Sequence, residues 1–202
     1  AYNRMSQLNK KELEKGVIAS SAGNHAQGVA LSASHLKCRA VIVMPCTTPL
    51  TKIKAVYGHD AEVILHGDTY DEAYKEALII SKEQGLTFIH PFDDPEVIAG
   101  QGTIGLEILR QSQKKPDAIY VAVGGGGLIG GIAAYVKSLW PKIEVIGVEP
   151  NDAAAMSLSL EAGKRIELSN VGLIADGVAT GKRSLNFTPS LWYRKDVRGG
   201  AL

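Results

Sequence analysis

Short apolar runs of strand length alternate with longer segments of helical periodicity along most of this 202-residue chain. Buried parallel strands are nearly continuously apolar, whereas a helix that covers a sheet repeats its apolar residues every three or four positions. The strand-like runs are residues 16–19, 40–44, 61–65, 87–90, 118–123 and 144–148. The helix-like segments are residues 26–36, 49–57, 69–84, 96–111 and 128–139. This alternation predicts an α/β protein with parallel sheets covered by helices.

Polar residues, proline and glycine predict where some of these segments end. We predict Asp68 as the N-cap of the helix that follows it, and Gly85 as its left-handed C-cap. Residues 90–95 are rich in proline and aspartate, which indicates either a crossing between two lobes or an ordinary loop. Periodicity is lost beyond Thr180, so we expect little fixed structure in residues 181–202.

The charge and composition of the chain exclude several classes of partner. Lys and Arg number 22 and Asp and Glu number 21, so the formal net charge is +1. No basic cluster is interleaved with aromatic residues as in a nucleic-acid groove, so we expect no nucleic-acid partner. No apolar run approaches the length of a membrane span, so we expect no membrane partner. Cys38 and Cys46 are too few to build a disulfide scaffold.

A strand that runs into small residues and then into a helix covers residues 17–28. Small side chains leave backbone amides exposed, and amides at a helix N-terminus bind carboxylates and phosphates. The hydroxyls of Ser20 and Ser21 would assist, and Asn24 would donate its side-chain amide to an oxyanion. Alternatively, Ser20 or Ser21 caps the helix, and Asn24 and His25 form only local hydrogen bonds.

A run of four glycines lies between the apolar residues 118–123 and a helix of small residues, and consists of Gly124, Gly125, Gly126 and Gly127. Without Cβ atoms, the successive N–H groups can converge on anionic oxygens, and the helix dipole adds partial positive charge. We therefore predict a phosphate-binding loop. A loop with a purely structural role is the alternative.

The same loop also matches a dinucleotide fingerprint. Gly125, Gly127 and Gly130 have the required spacing, and Glu149 follows the next strand, where an acid would bind a ribose hydroxyl. An NAD-dependent oxidoreductase domain is therefore a second hypothesis. We rank it second because it gives residues 20–28 no role, and because such a fingerprint more often follows the first strand of its domain.

Five separated motifs of this chain occur in the same order and with the same spacing in one known family. They are Ser21-Ala22-Gly23-Asn24-His25-Ala26-Gln27-Gly28, Gly100-Gln101-Gly102-Thr103, the glycine run with Leu128, Gly147-Val148-Glu149-Pro150 and Ala175-Asp176-Gly177-Val178-Ala179. On these motifs, residues 1 to about 180 resemble the threonine dehydratase (threonine ammonia-lyase) family.

The resemblance implies a two-lobed α/β architecture of fold type II, similar to tryptophan synthase β, of which this chain holds an incomplete copy. Residues 1–92 would form most of the small lobe, and residues 93–180 would form part of the large cofactor-binding lobe. Residues 181–202 would form a divergent tail. The resemblance also implies pyridoxal 5′-phosphate as cofactor between the lobes, a small amino acid as substrate, and a homo-oligomer when the protein is complete.

The resemblance further implies a role for each of two groups of residues. Asn24 would donate to the 3′-oxygen of the cofactor, and the amides of the glycine run and of Leu128 would hold its phosphate. The substrate carboxylate would be held by the backbone of Ser21, Ala22, Gly23 and His25. With pyridoxal phosphate as electron sink, L-threonine would yield 2-oxobutanoate and ammonia, the first step of isoleucine biosynthesis, and L-serine would yield pyruvate.

The family's cofactor-binding lysine has no counterpart in this sequence. It lies in a Ser-Phe-Lys-x-Arg-Gly motif directly before the Ala-Tyr-Asn with which this chain opens, so we expect it just upstream of Ala1. Lys10, Lys11 and Lys15 are explained by a solvated face. We therefore expect no catalytic residue in this chain and no activity of the chain as given, and a catalytically dead binding fragment is a third hypothesis. We expect a soluble protein. Any targeting peptide would also precede Ala1, so the sequence assigns no compartment, and cytoplasm, mitochondrion and plastid stay open.

Two positions distinguish this chain from the similar serine racemases. Those enzymes have a second serine immediately before the Gly-Asn pair, where this chain has Ala22, which cannot accept a proton. They also use an acid six residues after the glutamate of the Glu-Pro pair to bind a divalent metal, where this chain has Ala155. We therefore expect neither racemisation nor a metal site.

Overall fold

A computed structural model describes residues 1–168, 171–172 and 177–178 of the chain. Two compact units divide between Pro91 and Phe92. The division lies within the proline- and aspartate-rich run at residues 90–95. The tail predicted for residues 181–202 lies outside the described residues.

The first unit is an alternation of helices and strands. Its elements are α1 (Tyr2–Met5), α2 (Lys10–Lys15), β1 (Val17–Ser20), α3 (Asn24–Leu36), β2 (Ala40–Met44), α4 (Leu50–Tyr57), β3 (Glu62–Leu65), α5 (Tyr70–Gln84) and β4 (Thr87–Phe88). The strands form one parallel sheet in the order β3-β2-β1-β4. The predicted parallel α/β architecture is therefore confirmed in this unit.

The core of the first unit lies on the two central strands. Every residue of β1 and β2 is buried, as expected for strands that helices cover on both faces. Ile18 of β1 pairs with Val41 of β2, and both pack against Ala73 and Ala77 of α5. Full burial of an isoleucine or valine side chain contributes about 1.5–3 kcal/mol to folding. This packing thus holds the ends of β1 and β2 in fixed register.

One of the two predicted helix ends is wrong by one residue. Thr69, not Asp68, is the N-cap of α5, because its hydroxyl accepts from the Glu72 N–H while the Glu72 carboxylate accepts from the Thr69 N–H. This reciprocal capping box satisfies two helix-end donors, which the Asp68 side chain does not do. The prediction for Gly85 is confirmed, since it ends α5 with φ 65° and ψ 27°.

The described part of the second unit repeats the alternation on a smaller scale. Its elements are α6 (Pro95–Gln111), β5 (Ala118–Ala122), α7 (Gly127–Leu139), β6 (Glu144–Val148), a 3₁₀ turn (Asn151–Ala153) and α8 (Ala155–Glu161). β5 and β6 pair in parallel, and alternate β5 residues pack under α7 in one core cluster. This arrangement fixes the point at which β5 ends and α7 begins.

Close contact between α6 and α7 depends on glycine. A Cβ atom on Gly131 of α7 would overlap the Ile98 carbonyl oxygen of α6, and one on Gly102 would lie 3.2 Å from the Gly131 carbonyl oxygen. The two helix backbones therefore approach more closely than side chains would permit.

Within the part of the chain that the structure describes, no helix has the length and apolar character needed to cross a membrane.

Candidate functional site

The turn after β1 presents backbone amides at the start of α3. Ser20 ends β1, the Ser21 N–H donates to the Val43 carbonyl at 3.2 Å, and α3 begins at Asn24. Gly23 is the N-cap of α3, and no side chain caps that end. The alternative in which Ser20 or Ser21 caps the helix is therefore wrong, and the first amides of α3 have no side-chain acceptor.

The hydroxyls of the two serines differ in their hydrogen bonding: one forms a local hydrogen bond, and the other has no partner in the described structure. The Ser21 hydroxyl accepts from the Gly23 N–H at 3.2 Å, which braces the turn. The Ser20 hydroxyl is fully buried and has no hydrogen-bond partner in the described structure. Burying a hydroxyl without a partner costs about 1–3 kcal/mol, and each such group in a folded protein calls for an explanation, such as a water, an ion or a functional role. The Ser20 hydroxyl is therefore a polar group at this strand end that the described structure leaves unsatisfied.

The side chains of Asn24 and His25 differ in how they are held. Asn24 is exposed, and its carboxamide makes no hydrogen bond within the described part of the chain, so both amide hydrogens are available to a ligand. His25 is largely buried, and its Nε2 lies 2.9 Å from the Ile89 carbonyl oxygen. Because a carbonyl only accepts, Nε2 carries the hydrogen. Burial lowers the pKa of His25 to about 4, so the ring is neutral at pH 7.

The glycine run forms an anion-receptive loop in the second unit. Gly126 adopts a left-handed conformation with φ 96° and ψ −8°, and α7 begins at the next residue with no side-chain cap. A left-handed residue followed by a helical one turns successive N–H groups to the same side and forms a concavity for anions. The amides from Gly125 to Leu128 have no acceptor in the residues that the structure describes. Four adjacent donors and a helix dipole suit a phosphate group.

Phe92 is a residue at this loop that the sequence did not reveal. Its ring lies against Gly125 and its backbone against Gly127. The contact joins residues more than 30 positions apart, so no local pattern signals it.

Glu149 is occupied in a way that weakens the dinucleotide hypothesis. Its two carboxylate oxygens accept from the N–H groups of Met156 and Ser157 at 2.9 and 2.8 Å, in the first turn of α8. Burial raises the pKa of Glu149. A carboxylate that caps a helix with both oxygens is not presented to a ribose hydroxyl. The position of the fingerprint in the chain does not argue against a dinucleotide. The fingerprint follows β5, and β5 is the first strand of the second unit.

The lysines near the start of the chain lie on a short solvent-exposed helix. α2 contains no buried residue, and the exposed Lys10 ammonium lies 3.8 Å from the Glu14 carboxylate. This agrees with the solvated face predicted for Lys10, Lys11 and Lys15.

Among the described residues, no group of three or more His, Cys, Asp and Glu side chains has the arrangement to hold a metal ion.

Each predicted group of site residues is contiguous in the structure. Ser21, Ala22, Gly23, Asn24 and His25 lie in the turn and first residues of α3, within the first unit. The glycines at 124–127 and Leu128 lie in one loop and the first turn of α7, within the second unit. Both groups follow the carboxyl end of a parallel strand, where α/β proteins bind their ligands.

Comparison with known proteins identifies the family. A family model described as pyridoxal-phosphate dependent enzyme matches residues 1–199. The chain is 62% identical over 179 residues to the biosynthetic chloroplastic threonine dehydratase of Arabidopsis thaliana, covering 89% of this chain and 30% of that protein. It is 57% identical over 182 residues to the biosynthetic L-threonine dehydratase IlvA of Burkholderia multivorans, covering 89% of this chain and 36% of that protein. The chain thus spans about a third of the length of these relatives.

Solved structures agree with the family assignment. The processed form of threonine deaminase isoform 2 from Solanum lycopersicum matches with a TM-score of 0.86 and 55% identity, over 91% of this chain and 53% of that one. Maize serine racemase matches with a TM-score of 0.83 and 35% identity, over 89% of this chain and 54% of that one. These matches confirm the predicted fold type II class, and the NAD-dependent and dead-fragment hypotheses are not favoured. The chain belongs to the family of pyridoxal-phosphate-dependent enzymes.

Proposed function

We propose that this chain forms the main binding part of an enzyme that deaminates L-threonine to 2-oxobutanoate and ammonia, the first step of isoleucine biosynthesis. L-Serine would give pyruvate. The observation that supports this most strongly is the 62% identity to a threonine dehydratase over a region that includes both binding turns. In the net reaction the α-proton and the β-hydroxyl leave the substrate, and the resulting enamine hydrolyses to the 2-oxo acid and ammonia.

The glycine loop would bind the cofactor through its phosphate. The amides of Gly124, Gly125, Gly126, Gly127 and Leu128 would donate to the phosphate oxygens. Three features fit this group: the left-handed Gly126, the lack of a capping side chain on α7, and amides from Gly125 to Leu128 that have no acceptor among the described residues. Pyridoxal phosphate, when bound, supplies an electron sink that stabilises negative charge at the substrate α-carbon.

The turn after β1 would bind the cofactor ring and the substrate. Asn24 would donate a carboxamide hydrogen to the 3′-oxygen of the cofactor, which fits its exposure and its lack of a side-chain hydrogen bond to any described residue. The backbone amides of Ser21, Ala22, Gly23 and His25 would hold the substrate carboxylate. His25 would act as a positioning residue, since its Nε2–H bond to the Ile89 carbonyl fixes the first turn of α3.

We place no proton-transfer residue in the chain itself. The family resemblance assigns the cofactor-binding lysine to a motif before Ala1, and the α2 lysines are solvated. The side chain of Ala22 offers no proton acceptor, so this turn supports removal of the β-hydroxyl without racemisation at the α-carbon. The complete protein would work as a homo-oligomer on a free amino acid and without nucleic acid. Its compartment would be the cytoplasm, a mitochondrion or a plastid.

The proposal is tested by purifying the full-length protein and adding L-threonine or L-serine with pyridoxal phosphate. We expect 2-oxobutanoate and ammonia in equal amounts from L-threonine, and no D-amino acid. Activity should be lost after the cofactor is dialysed away and should return when it is added. Conversion of either amino acid to its D form, or no turnover of either, would contradict the proposal. Light scattering of the same sample tests the homo-oligomer.

A further inference from the structure

Phe92 fills the space beside the glycine loop on the side of Gly125. Phe92 is the first residue of the second unit and lies three residues before α6. A Cβ atom on Gly125 would overlap three carbon atoms of the Phe92 ring, Cγ, Cδ2 and Cε2. The backbone of Gly125 is not left-handed, so its conformation does not by itself require glycine. The ring of Phe92 is what excludes a side chain at this position.

The backbone of the same residue excludes a side chain at Gly127. A Cβ atom there would lie 2.7 Å from the Phe92 carbonyl oxygen and 3.0 Å from its Cα atom. Gly127 is the first residue of α7, where alanine is otherwise well tolerated. Two of the four glycines are therefore explained by one residue, through its ring in one case and through its backbone in the other.

The intervening residue, Gly126, must be glycine for a different reason. Gly126 has φ 96°, a value that side chains disfavour. Its neighbours are needed because the loop lies directly on Phe92, and not only because a phosphate must approach. A run of glycines has large conformational freedom, so a loop that holds its amides in one arrangement needs a rigid support. Phe92 contacts both sides of the residue that sets the turn.

We propose that Phe92 is a positioning residue for phosphate binding. It holds the backbone from Gly125 to Leu128 in the arrangement in which the N–H groups converge. The inference rests on the proposed function, because that function assigns the cofactor phosphate to this loop. Support before binding reduces the ordering that the ligand must impose, and therefore raises affinity.

The test compares pyridoxal phosphate affinity in single and double variants of the full-length protein freed of cofactor. Each charge-assisted hydrogen bond lost from the phosphate weakens binding by about 10- to 100-fold. We expect a loss in this range for Phe92→Ala and for Gly125→Ala. In Phe92→Ala the ring is gone, so adding Gly125→Ala should change affinity by less than about threefold. Phe92→Tyr keeps the ring and should bind as the wild type does.

Gly127→Ala provides the matched control. Its Cβ atom meets the backbone of residue 92, which Phe92→Ala does not remove. The second substitution should therefore weaken binding about as strongly in the Phe92→Ala background as in the wild type. Coupling at position 125 without coupling at position 127 is the expected signature, and a residue that only stabilises the fold would not produce it.

Three outcomes would overturn the proposal. The first is that the affinity losses of Gly125→Ala and Phe92→Ala multiply in the double variant. The second is that Phe92→Ala binds pyridoxal phosphate as tightly as the wild type. The third is that Phe92→Ala loses the far-ultraviolet circular dichroism of a folded protein. If the wild type itself does not bind pyridoxal phosphate, the proposed function fails instead. The packing arrangement is then still measured by melting temperature, which Gly125→Ala should lower in the wild type and leave unchanged in Phe92→Ala.

Discussion

The turn after β1 and the loop after β5 occupy the same structural position but are built from different atoms. Both follow a parallel strand and open a 13-residue helix whose N-terminus no side chain caps. In the first, Ser21, Asn24 and His25 bring a hydroxyl, a carboxamide and an imidazole. In the second, the glycine run brings only backbone groups, and Phe92 packs against Gly125 and Gly127. The first turn therefore combines side-chain and backbone groups, and the second offers amides alone.

This difference has a physical consequence. A site made of side chains is altered by substituting them, and it responds to pH when one of them titrates. A site made of backbone amides has no titratable group of its own and is altered only by changing the shape of the chain. Substitutions and changes of pH should therefore affect the two turns differently.

The first turn should make the stability of the protein depend on pH through His25. Its pKa is about 4 in the folded state and about 6.5 when unfolded, so the unfolded chain binds more protons between these values. The contribution is fully present above pH 6.5 and is lost as pH falls to 4, by up to about 3 kcal/mol. Urea unfolding of the full-length protein at pH 7, 5.5 and 4 measures it. His25→Gln keeps a donor for the Ile89 carbonyl and should make the pH dependence less steep over this window.

His35 provides the control for that experiment. It lies exposed near the other end of α3, so His35→Gln makes the same substitution at an exposed position of the same helix. Equal slopes in the wild type and in His25→Gln would mean that His25 is not the source.

The second turn should be sensitive to a single methyl group at Gly126. The residue has φ 96°, and an L side chain in the left-handed region costs roughly 1–2 kcal/mol. Gly126→Ala should weaken pyridoxal phosphate binding about tenfold or more, as measured by equilibrium dialysis. Gly163→Ala is the matched control, because Gly163 has φ 63° and no atom of the described residues lies within 4 Å of its Cβ position. It should lower stability while affinity stays the same, and an equal loss of affinity in both variants would refute a local role of the loop.

A polar side chain of the first turn should affect binding without affecting folding. Asn24 is exposed and forms no side-chain hydrogen bond within the described chain. Asn24→Ala should therefore leave the melting temperature unchanged and reduce cofactor affinity by about three- to tenfold, the value of one hydrogen bond. A lowered melting temperature with unchanged affinity would show that Asn24 has a structural role only.

A residue outside both turns should have the smallest effect. Glu149→Gln loses one of two acceptor oxygens at the start of α8 but removes the cost of burying a charge, so we expect a change of less than about 1 kcal/mol in the free energy of unfolding. Cofactor affinity should not change. Tight NAD binding by the wild type that Glu149→Gln abolishes would instead restore the dinucleotide hypothesis.

Periodicity located most of the fold because its source is local. The strand-like runs at residues 40–44 and 144–148 match β2 and β6 residue for residue. Cases that depend on distant or reciprocal contacts were missed. Helix α8 was not predicted, and its N-terminus is capped by Glu149 from seven residues away. The sequence favours Asp68 over Thr69 as the N-cap because both residues cap helices and aspartate does so more often, and only the bonds to Glu72 decide for Thr69.

The candidate site shows the same limit. Small residues and glycines after a strand signal a helix end with exposed amides, so Gly126 and Asn24 could be singled out from sequence. The support provided by Phe92 could not, because ring packing on Gly125 exists only in three dimensions. Likewise, the hydroxyl of Ser20 is recognisable in sequence, but its complete burial without a partner is not.

The most direct test of the phosphate assignment is a crystal structure of the full-length protein with pyridoxal phosphate bound. We predict that the phosphate oxygens lie within about 3.2 Å of the amide nitrogens of Gly125, Gly127 and Leu128, with Phe92 in contact with the loop. A phosphate held elsewhere, with these amides facing solvent, would contradict the account.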